Sequence, residues 1–279
     1  MSRYFVIGNP VEHSLSPEIH SMFAASAGIQ DGFSYEKARF ETGRFVEGVS
    51  ALVREQSPKG CNVTLPFKLD AYDYCLSHGG RVTPRAKAAK AVNTLFWAPE
   101  GLRADNTDGI GLVQDLEKRW AVSMRGARVL ILGAGGAARG LLAVLKDEGC
   151  ASIHLANRTP AKAADLAADF GVRSVLFTDT WAGGYDIIIN TTSASLSNEA
   201  PAIPNRAFRD ASVAYDLFYS IVDTPFMRLA KDSGVKLVLD GVGMLVEQAA
   251  ESFYFWNGIR VATEPVYRAI SEKVHRLPE

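Results

Sequence analysis

Cysteine is scarce in this chain, and what there is does not pair: Cys61, Cys75 and Cys150 are odd in number, far apart and without a CxxC spacing. Neither a disulfide framework nor a cysteine-based zinc site is indicated, and a reducing compartment, the cytoplasm, fits. A surplus of either charge is also missing. Lys and Arg number 30 against 31 Asp and Glu, for a formal net charge of -1, with no basic block. Binding to nucleic acid, which needs a concentrated positive face, is not expected. Long apolar runs are absent too. The N-terminal Tyr4-Phe5-Val6-Ile7 stretch stops at Gly8-Asn9-Pro10. That is too short for a signal-peptide core or a membrane span, so it reads as a first strand and no membrane partner is expected. His20, His78, His154 and His275 show no ligand spacing, so no metal is expected.

What is there is an ordinary globular mixture: 279 residues, 47% hydrophobic and 22% charged, enough for two domains. Between Tyr4 and Lys90, strands are expected at Tyr4–Ile7, Phe33–Phe40 and Gly60–Val63, and helices at Ser16–Ala27 and Arg44–Glu55. The second half alternates more sharply, with apolar runs at Arg128–Leu132, Ser152–Ala156, Asp186–Asn190, Val213–Asp216 and Lys236–Asp240. Such continuous runs suit strands buried on both faces. Helical segments at Ala137–Glu148, Pro160–Phe170 and Pro225–Ser233 lie between them, in the order of a doubly wound sheet. After Gly241 come two long helical stretches, Met244–Trp256 and Glu264–His275, with Phe253, Tyr254, Phe255 and Trp256 expected in the core. The expected fold class is α/β with two domains. Residues 1–108 form one, with a mostly parallel sheet completed by helices returning from 242–279; residues 109–241 form a Rossmann-like doubly wound domain.

Gly133-Ala134-Gly135-Gly136-Ala137-Ala138 follows a strand and opens a helix, the context in which G-x-G-x-x-A signals a dinucleotide. Residues with little side chain let the backbone turn tightly and approach a pyrophosphate, whose charge meets the N–H groups and positive end of the helix. About 20 residues further on, an NAD enzyme carries an acidic residue for the ribose 2'-hydroxyl. Asn157-Arg158-Thr159 stands there instead, with Lys162 close by. A guanidinium and a hydroxyl offer donors to a 2'-phosphate with no carboxylate to repel it, so NADP (NADPH) is the expected cofactor. Thr159 can at the same time cap the helix that begins at Pro160.

Three polar segments fall where strands end in the first half: Asn62-Val63-Thr64-Leu65-Pro66-Phe67-Lys68, Ala91-Val92-Asn93-Thr94 and Asp105-Asn106-Thr107-Asp108-Gly109. Singly each has a bland explanation as turn, solvated lysine or helix cap. With Gly8-Asn9-Pro10 and Ser14-Leu15-Ser16-Pro17 they resemble, in order and spacing, the shikimate dehydrogenase family. The resemblance runs on through Asn157-Arg158-Thr159, Asn190-Thr191-Thr192-Ser193, Tyr215-Asp216-Leu217-Phe218-Tyr219, Thr224-Pro225-Phe226 and the segment from Asp240 to Ala250, covering almost the whole chain.

The resemblance implies reversible reduction of 3-dehydroshikimate to shikimate with NADPH, on the way to chorismate and aromatic amino acids. It implies that Ser14 and Ser16 bind the substrate carboxylate, that Asn62, Thr64, Asn93, Asp108 and Gln248 surround the ring hydroxyls, and that Lys68 and Asp108 are the catalytic pair. Tyr219 is expected to touch substrate. Gly133, Ala134, Gly135, Gly136, Ala137, Asn157, Arg158, Thr159, Lys162, Thr192, Leu217, Gly241 and Met244 are expected at the cofactor, with closure hinging near Asp108 and Gly241. The partner is a small molecule, and the chain is expected as a monomer or homodimer. A quinate/shikimate or aminoshikimate dehydrogenase of the same architecture is one alternative; a non-catalytic metabolite sensor is another, against which Lys68 and Asp108 argue. Two positions depart from the family's pattern: Pro84 where many relatives carry an acidic residue, and Lys90 in place of the usual glycine. His13, beside the serine motif, is expected to be a supporting group rather than the acid.

Overall fold

The computed structural model describes residues 1–182 and 184–276. In chain order the first half runs β1 (Ser2–Gly8), α1 (Ser16–Ser26), β2 (Phe33–Arg39), α2 (Phe45–Gln56), β3 (Gly60–Val63), α3 (Lys68–Ser77), β4 (Arg81–Val82), α4 (Pro84–Ala89), β5 (Thr94–Ala98), β6 (Gly101–Asp105) and α5 (Asp108–Gln114). There follow β7 (Arg128–Leu132), α6 (Gly136–Leu145), β8 (Ser152–Ala156), α7 (Pro160–Phe170), β9 (Arg173–Val175), β10 (Ile187–Asn190), β11 (Val213–Asp216), α8 (Pro225–Asp232), β12 (Leu237–Leu239), α9 (Val242–Asn257) and α10 (Glu264–His275). The chain divides into two compact units, one of Met1–Gly111 with Val246–Ile270 and the other of Leu112–Leu245 with the residues from Ser271 on.

The first unit is built on a six-stranded sheet in the order β2-β1-β3-β5-β6-β4. β1 pairs in parallel with β2 and β3, and β4 with β6, while β3–β5 and β5–β6 are antiparallel. The antiparallel part is a hairpin, turning at Pro99-Glu100, whose strands are exposed at the turn and buried at the open end. That open end sets Asn93 beside Asp105 through an N–H to carbonyl bond of 3.1 Å. Residues 14 or so apart in sequence, Asn93 and Thr107-Asp108, thereby become neighbours. Phe5, Ile7, Val63, Phe67 and Leu95 fill one face. Trp256 of α9 closes the other with Tyr4 and Tyr35, its indole N–H on the Leu95 carbonyl at 2.9 Å. A Cβ at Gly60 would lie 2.4 Å from that indole nitrogen, which is why the strand starts on glycine.

Of the four aromatics expected in this core, Phe253 and Trp256 are buried and Phe255 is partly so, but Tyr254 is 39% exposed. The helical period explains the correction: 253 and 256 share a face, and 254 points away, under the Arg260 guanidinium at 3.6 Å from its ring centroid.

The second unit carries a fully parallel sheet in the order β12-β11-β10-β7-β8-β9, the doubly wound arrangement with its strand order reversing between β7 and β10. Val129, Ile131, Ile187, Ile189 and Val213 face α6 through Leu141, Leu142 and Leu145; Leu130, Ile188 and Ala214 face Phe208 and Phe226 on the opposite side. α6 ends at Leu145, short of the expected Glu148, in a turn held by Asp147 and Glu148 N–H groups on the Val144 and Leu145 carbonyls. α5 continues into a single π-helical turn, Asp115–Arg119. No helix among the described residues is long and apolar enough to cross a membrane.

Candidate active site

Lys68 is the first residue of α3, and Asp108 the first of α5. The loop before Lys68 is fixed at both ends: the Thr64 N–H bonds the Ile7 carbonyl at 2.8 Å, and the Lys68 carbonyl accepts from the Val92 N–H at 2.8 Å. Asn106 turns back to take the Asp108 N–H on its Oδ1 at 3.1 Å while its own amide reaches the Ala91 carbonyl. The result is an ion pair, Lys68 Nζ to Asp108 Oδ2 at 2.6 Å, with the two side chains 14% and 6% exposed. The other carboxylate oxygen accepts from Asn93 Nδ2 at 2.9 Å. With a donor on each oxygen the carboxylate cannot rotate, and the ammonium it holds is aimed.

Asn93 is oriented in turn. Its Oδ1 accepts from the Thr107 N–H (2.9 Å) and the Thr94 hydroxyl (2.9 Å), which forces Nδ2 toward Asp108. Gln248, on α9, accepts from Asn93 Nδ2 at 3.3 Å and from the Thr107 hydroxyl at 3.4 Å. A Cβ on Gly111 would come within 2.8 Å of the Gln248 backbone nitrogen, so α5 and α9 touch backbone to backbone here. Ser14 and Ser16 stand together at the start of α1, their hydroxyls 3.2 Å apart. Thr64 is half-buried beside Gly8, where a Cβ would lie 2.5 Å from its methyl carbon. Ser14, Ser16, Asn62, Thr64, Lys68, Asn93, Asp108 and Gln248 thus all belong to the first unit. His13 is exposed.

Sequence reasoning passed over Tyr35, Ser252 and His20, all buried around Asn62. One signal was available: Ser252 follows Gln248 by one helical turn and so shares its face. Pro84 occupies the first position of α4, after Thr83, whose hydroxyl caps the Ala86 N–H at 3.3 Å. There the missing proline N–H costs nothing. Lys90 ends α4 in the left-handed conformation, φ 49° and ψ 35°.

In the second unit, β7 runs into Gly133 at φ +113°, where a Cβ would lie 2.4 Å from Thr191 Oγ1 at the end of β10. Gly135 is extended and its side is open, since a Cβ there would meet nothing within 4 Å. α6 starts at Gly136 with its first amides facing that space, and the two strand ends flank the point of order reversal. These features fit a pyrophosphate. At the end of β8, Asn157 Nδ2 bonds the Thr159 carbonyl at 3.0 Å, and Arg158, Thr159 and Lys162 are exposed. Thr159 is the N-cap residue of α7, without a side-chain cap bond.

Thr192 places both its N–H and its hydroxyl on Asn190 Oδ1. The Asn190 amide donates to Asp216 at 3.1 Å, and Asp216 also accepts from Ser195, Thr224 and the Phe218 N–H. Burial raises the Asp216 carboxyl above its ordinary value in spite of these donors. Gly241 admits no side chain, because a Cβ would lie 2.1 Å from the Leu217 carbonyl oxygen. The Met244 N–H bonds the Tyr215 hydroxyl at 3.1 Å, which itself bonds Asp115 Oδ2 at 2.7 Å. Tyr219 stacks beside Phe218 at 6.1 Å, and burial with the nearby Asp240 charge pushes its phenol upward. Among the described residues, no group of three or more His, Cys, Asp or Glu could hold a metal ion.

Three family models match the chain: the shikimate dehydrogenase substrate binding domain over residues 6–95, shikimate / quinate 5-dehydrogenase over 115–218, and the shikimate 5'-dehydrogenase C-terminal domain over 241–270. The curated shikimate dehydrogenase (NADP(+)) of Janthinobacterium sp. (strain Marseille) is 44% identical over 274 residues, 97% of each chain. Among solved structures, an Ael1 enzyme from Pseudomonas putida is 38% identical with a TM-score of 0.88 and covers 100% of both chains. Shikimate 5-dehydrogenase from Thermus thermophilus, in complex with NADP(H) and shikimate, is 32% identical with a TM-score of 0.85, over 98% of this chain and 99% of that one. The chain belongs to the shikimate dehydrogenase family.

Proposed function

We propose that this chain is an NADP-dependent shikimate dehydrogenase, reducing 3-dehydroshikimate to shikimate in the route to chorismate and aromatic amino acids. The observation that carries this reading is the shielded Lys68–Asp108 pair with Asn93 on its second oxygen. When bound, NADPH supplies the hydride that adds to the ketone carbon. As that bond forms, negative charge gathers on the ketone oxygen. The Lys68 ammonium stabilises the charge and passes a proton from Nζ to the oxygen, giving the alcohol. Asp108 holds the ammonium in line throughout. In the reverse direction Lys68 must first be neutral, so that Nζ accepts the alcohol proton.

Thr64, Asn93 and Gln248 contribute the hydrogen bonds to the ring hydroxyls, and Ser14 and Ser16 those to the carboxylate. Asn62 belongs to the same site from beneath, through an amide turned to the protein interior. Tyr219 covers the substrate. The loop Gly133, Ala134, Gly135, Gly136 and Ala137 takes the pyrophosphate, where the open side of Gly135 leaves it room. Asn157, Arg158, Thr159 and Lys162 receive the 2'-phosphate, and Thr192, Leu217, Gly241 and Met244 the nicotinamide half. The free thiols Cys61, Cys75 and Cys150 suit the cytoplasm, and the chemistry calls on no second protein, so a monomer or homodimer serves.

The test is a matrix of kcat/KM for shikimate and quinate with NADP and NAD. Shikimate with NADP is expected to lead every other combination by at least about tenfold, the scale of one good hydrogen bond or charge contact. A lead for quinate would make the chain a sister dehydrogenase. Tight shikimate binding with no change in nicotinamide absorbance would make it a sensor.

A further inference from the structure

The Asn62 side chain has no capacity left for a ligand. An amide offers two N–H donors and two acceptor lone pairs. Oδ1 accepts from the Tyr35 hydroxyl at 2.7 Å and lies 3.1 Å from His20 Nε2. Nδ2 faces the Asn93 carbonyl (3.1 Å), the Thr94 hydroxyl (3.3 Å) and the Ser252 hydroxyl (3.0 Å). The residue is 6% exposed.

Two arms leave this amide. On one side the buried Ser16, whose hydroxyl meets that of Ser14 at 3.2 Å, neighbours the Tyr35 phenol and opposes the burial that pushes it upward. On the other, Ser252 Oγ lies 2.7 Å from Thr94 Oγ1 and 3.2 Å from Thr107 Oγ1, and Thr94 donates to Asn93 Oδ1. Asn93 ends the arm on Asp108 and, through it, Lys68. The groups proposed to work on the ring are thus tied to Asn62 by a continuous set of hydrogen bonds, and the Tyr35 phenol bonded to the same amide neighbours the serine pair proposed to grip the carboxylate. Side chains that share hydrogen bonds in this way restrict one another's orientation.

The geometry points to Tyr35 and Ser252 as positioning residues for this reaction, acting through Asn62 to fix the serine pair against the Asn93–Asp108–Lys68 group. This rests on the function proposed above. It also gives Asn62 the part of a hub, out of contact with the substrate. Misplacement of reacting groups by an ångström can cost about 100-fold in rate, which is the scale on which a missing hub contact would be felt.

The test uses purified wild-type enzyme with Ser252→Ala, Tyr35→Phe and the double variant. Steady-state kinetics with each substrate varied, calorimetric binding of shikimate alone and thermal melts are measured on all of them. Ser252→Ala is expected to lower kcat/KM for shikimate roughly 10- to 100-fold, and Tyr35→Phe about three- to tenfold with weaker shikimate binding. KM for NADP should stay within about twofold in both. The double variant should lose less than the product of the single losses, because both act through one amide. Should Ser252→Ala not fold, Tyr35→Phe, which removes a single hydroxyl, decides alone. Lowered melting temperatures with unchanged shikimate kinetics overturn the inference, and so does tighter shikimate binding, which would mean that the freed amide takes the ligand. A wild-type enzyme without shikimate-dependent NADP reduction would instead sink the functional reading, and this inference with it.

Discussion

The two sheets keep their polar groups in different places. In the second unit β7 is aliphatic from Val129 to Leu132 and β10 from Ile187 to Ile189, and the polar groups gather at the ends, at Arg128 on one side and at Asn190 and Thr191 on the other. In the first unit Asn62 sits inside β3 and Thr94 opens β5, so hydrogen-bonding side chains lie within the sheet itself. Holding a pyrophosphate takes backbone amides and empty space, which a parallel sheet supplies at its strand ends. Moving a proton takes an amine and a carboxylate placed to within about half an ångström, which takes supporting side chains. The glycine loop is therefore sensitive to a side chain added at Gly133, and the Lys68–Asp108 group to supporting side chains removed.

The largest break in this contrast is Lys68→Ala. It is expected to lower kcat by about 10² to 10⁴ with KM for shikimate and NADP changed far less, as when an interaction made only in the transition state is lost. Turnover within a few-fold of wild type would remove Lys68 from the chemistry. On the cofactor side, the corresponding stroke adds one methyl. Gly133→Ala puts a Cβ 2.4 Å from Thr191 Oγ1 on a residue at φ +113°, at a cost of roughly 1 to 3 kcal/mol in strain. A fall in melting temperature with KM for NADPH raised about tenfold and KM for shikimate unchanged is the expected pattern. A rise in shikimate KM alone would erase the distinction between the units.

The buried polar interior of the first unit also has a pH signature. Burial lowers His20 from 6.5 to about 3, with the Asn62 contact opposing. The unfolded chain takes up a proton at the ordinary value while the folded chain does not, so the contribution to stability is complete above pH 6.5 and falls as pH drops toward 3. The slope is about 1.4 kcal/mol per pH unit inside that window. Denaturant unfolding between pH 4 and 6 should be less pH-dependent in His20→Phe than in wild type; equal slopes would place the proton uptake elsewhere.

Legibility followed the same divide. The parallel unit could be read from its apolar runs, because strands buried on both faces admit little else; Arg128–Leu132, Ser152–Ala156 and Pro160–Phe170 stand as the sequence suggests. The β5–β6 hairpin could not be seen that way, since Thr94–Ala98 and Gly101–Asp105 mix polar and apolar residues on a sheet whose polar face is also buried. Its one cue was the Pro99-Glu100-Gly101 turn. Lys68, Asn93 and Asp108 were legible through the order and spacing of their motifs in the family resemblance, since each alone reads equally well as a solvated lysine, a turn residue or a helix cap. Tyr35, His20 and Ser252 were not, because a buried hydroxyl or imidazole has no sequence signature until its partner is known.

The smallest expected effect bears on how the chain departs from its family. Lys90 closes α4 at φ 49° and ψ 35°, three residues before Asn93. A side chain costs about 1 kcal/mol in the left-handed region, which glycine occupies freely. Glycine also has more freedom to lose on folding, which offsets part of the gain. Lys90→Gly should then stabilise the protein by about 0.5 kcal/mol, a rise of about 1 to 2 °C in Tm. Lys90→Ala separates backbone from charge, because it removes the ammonium and keeps the Cβ. If the strain account holds, only the glycine variant is stabilised; if both variants gain equally, the lysine charge and not the backbone is the source, and the turn before Asn93 carries no strain.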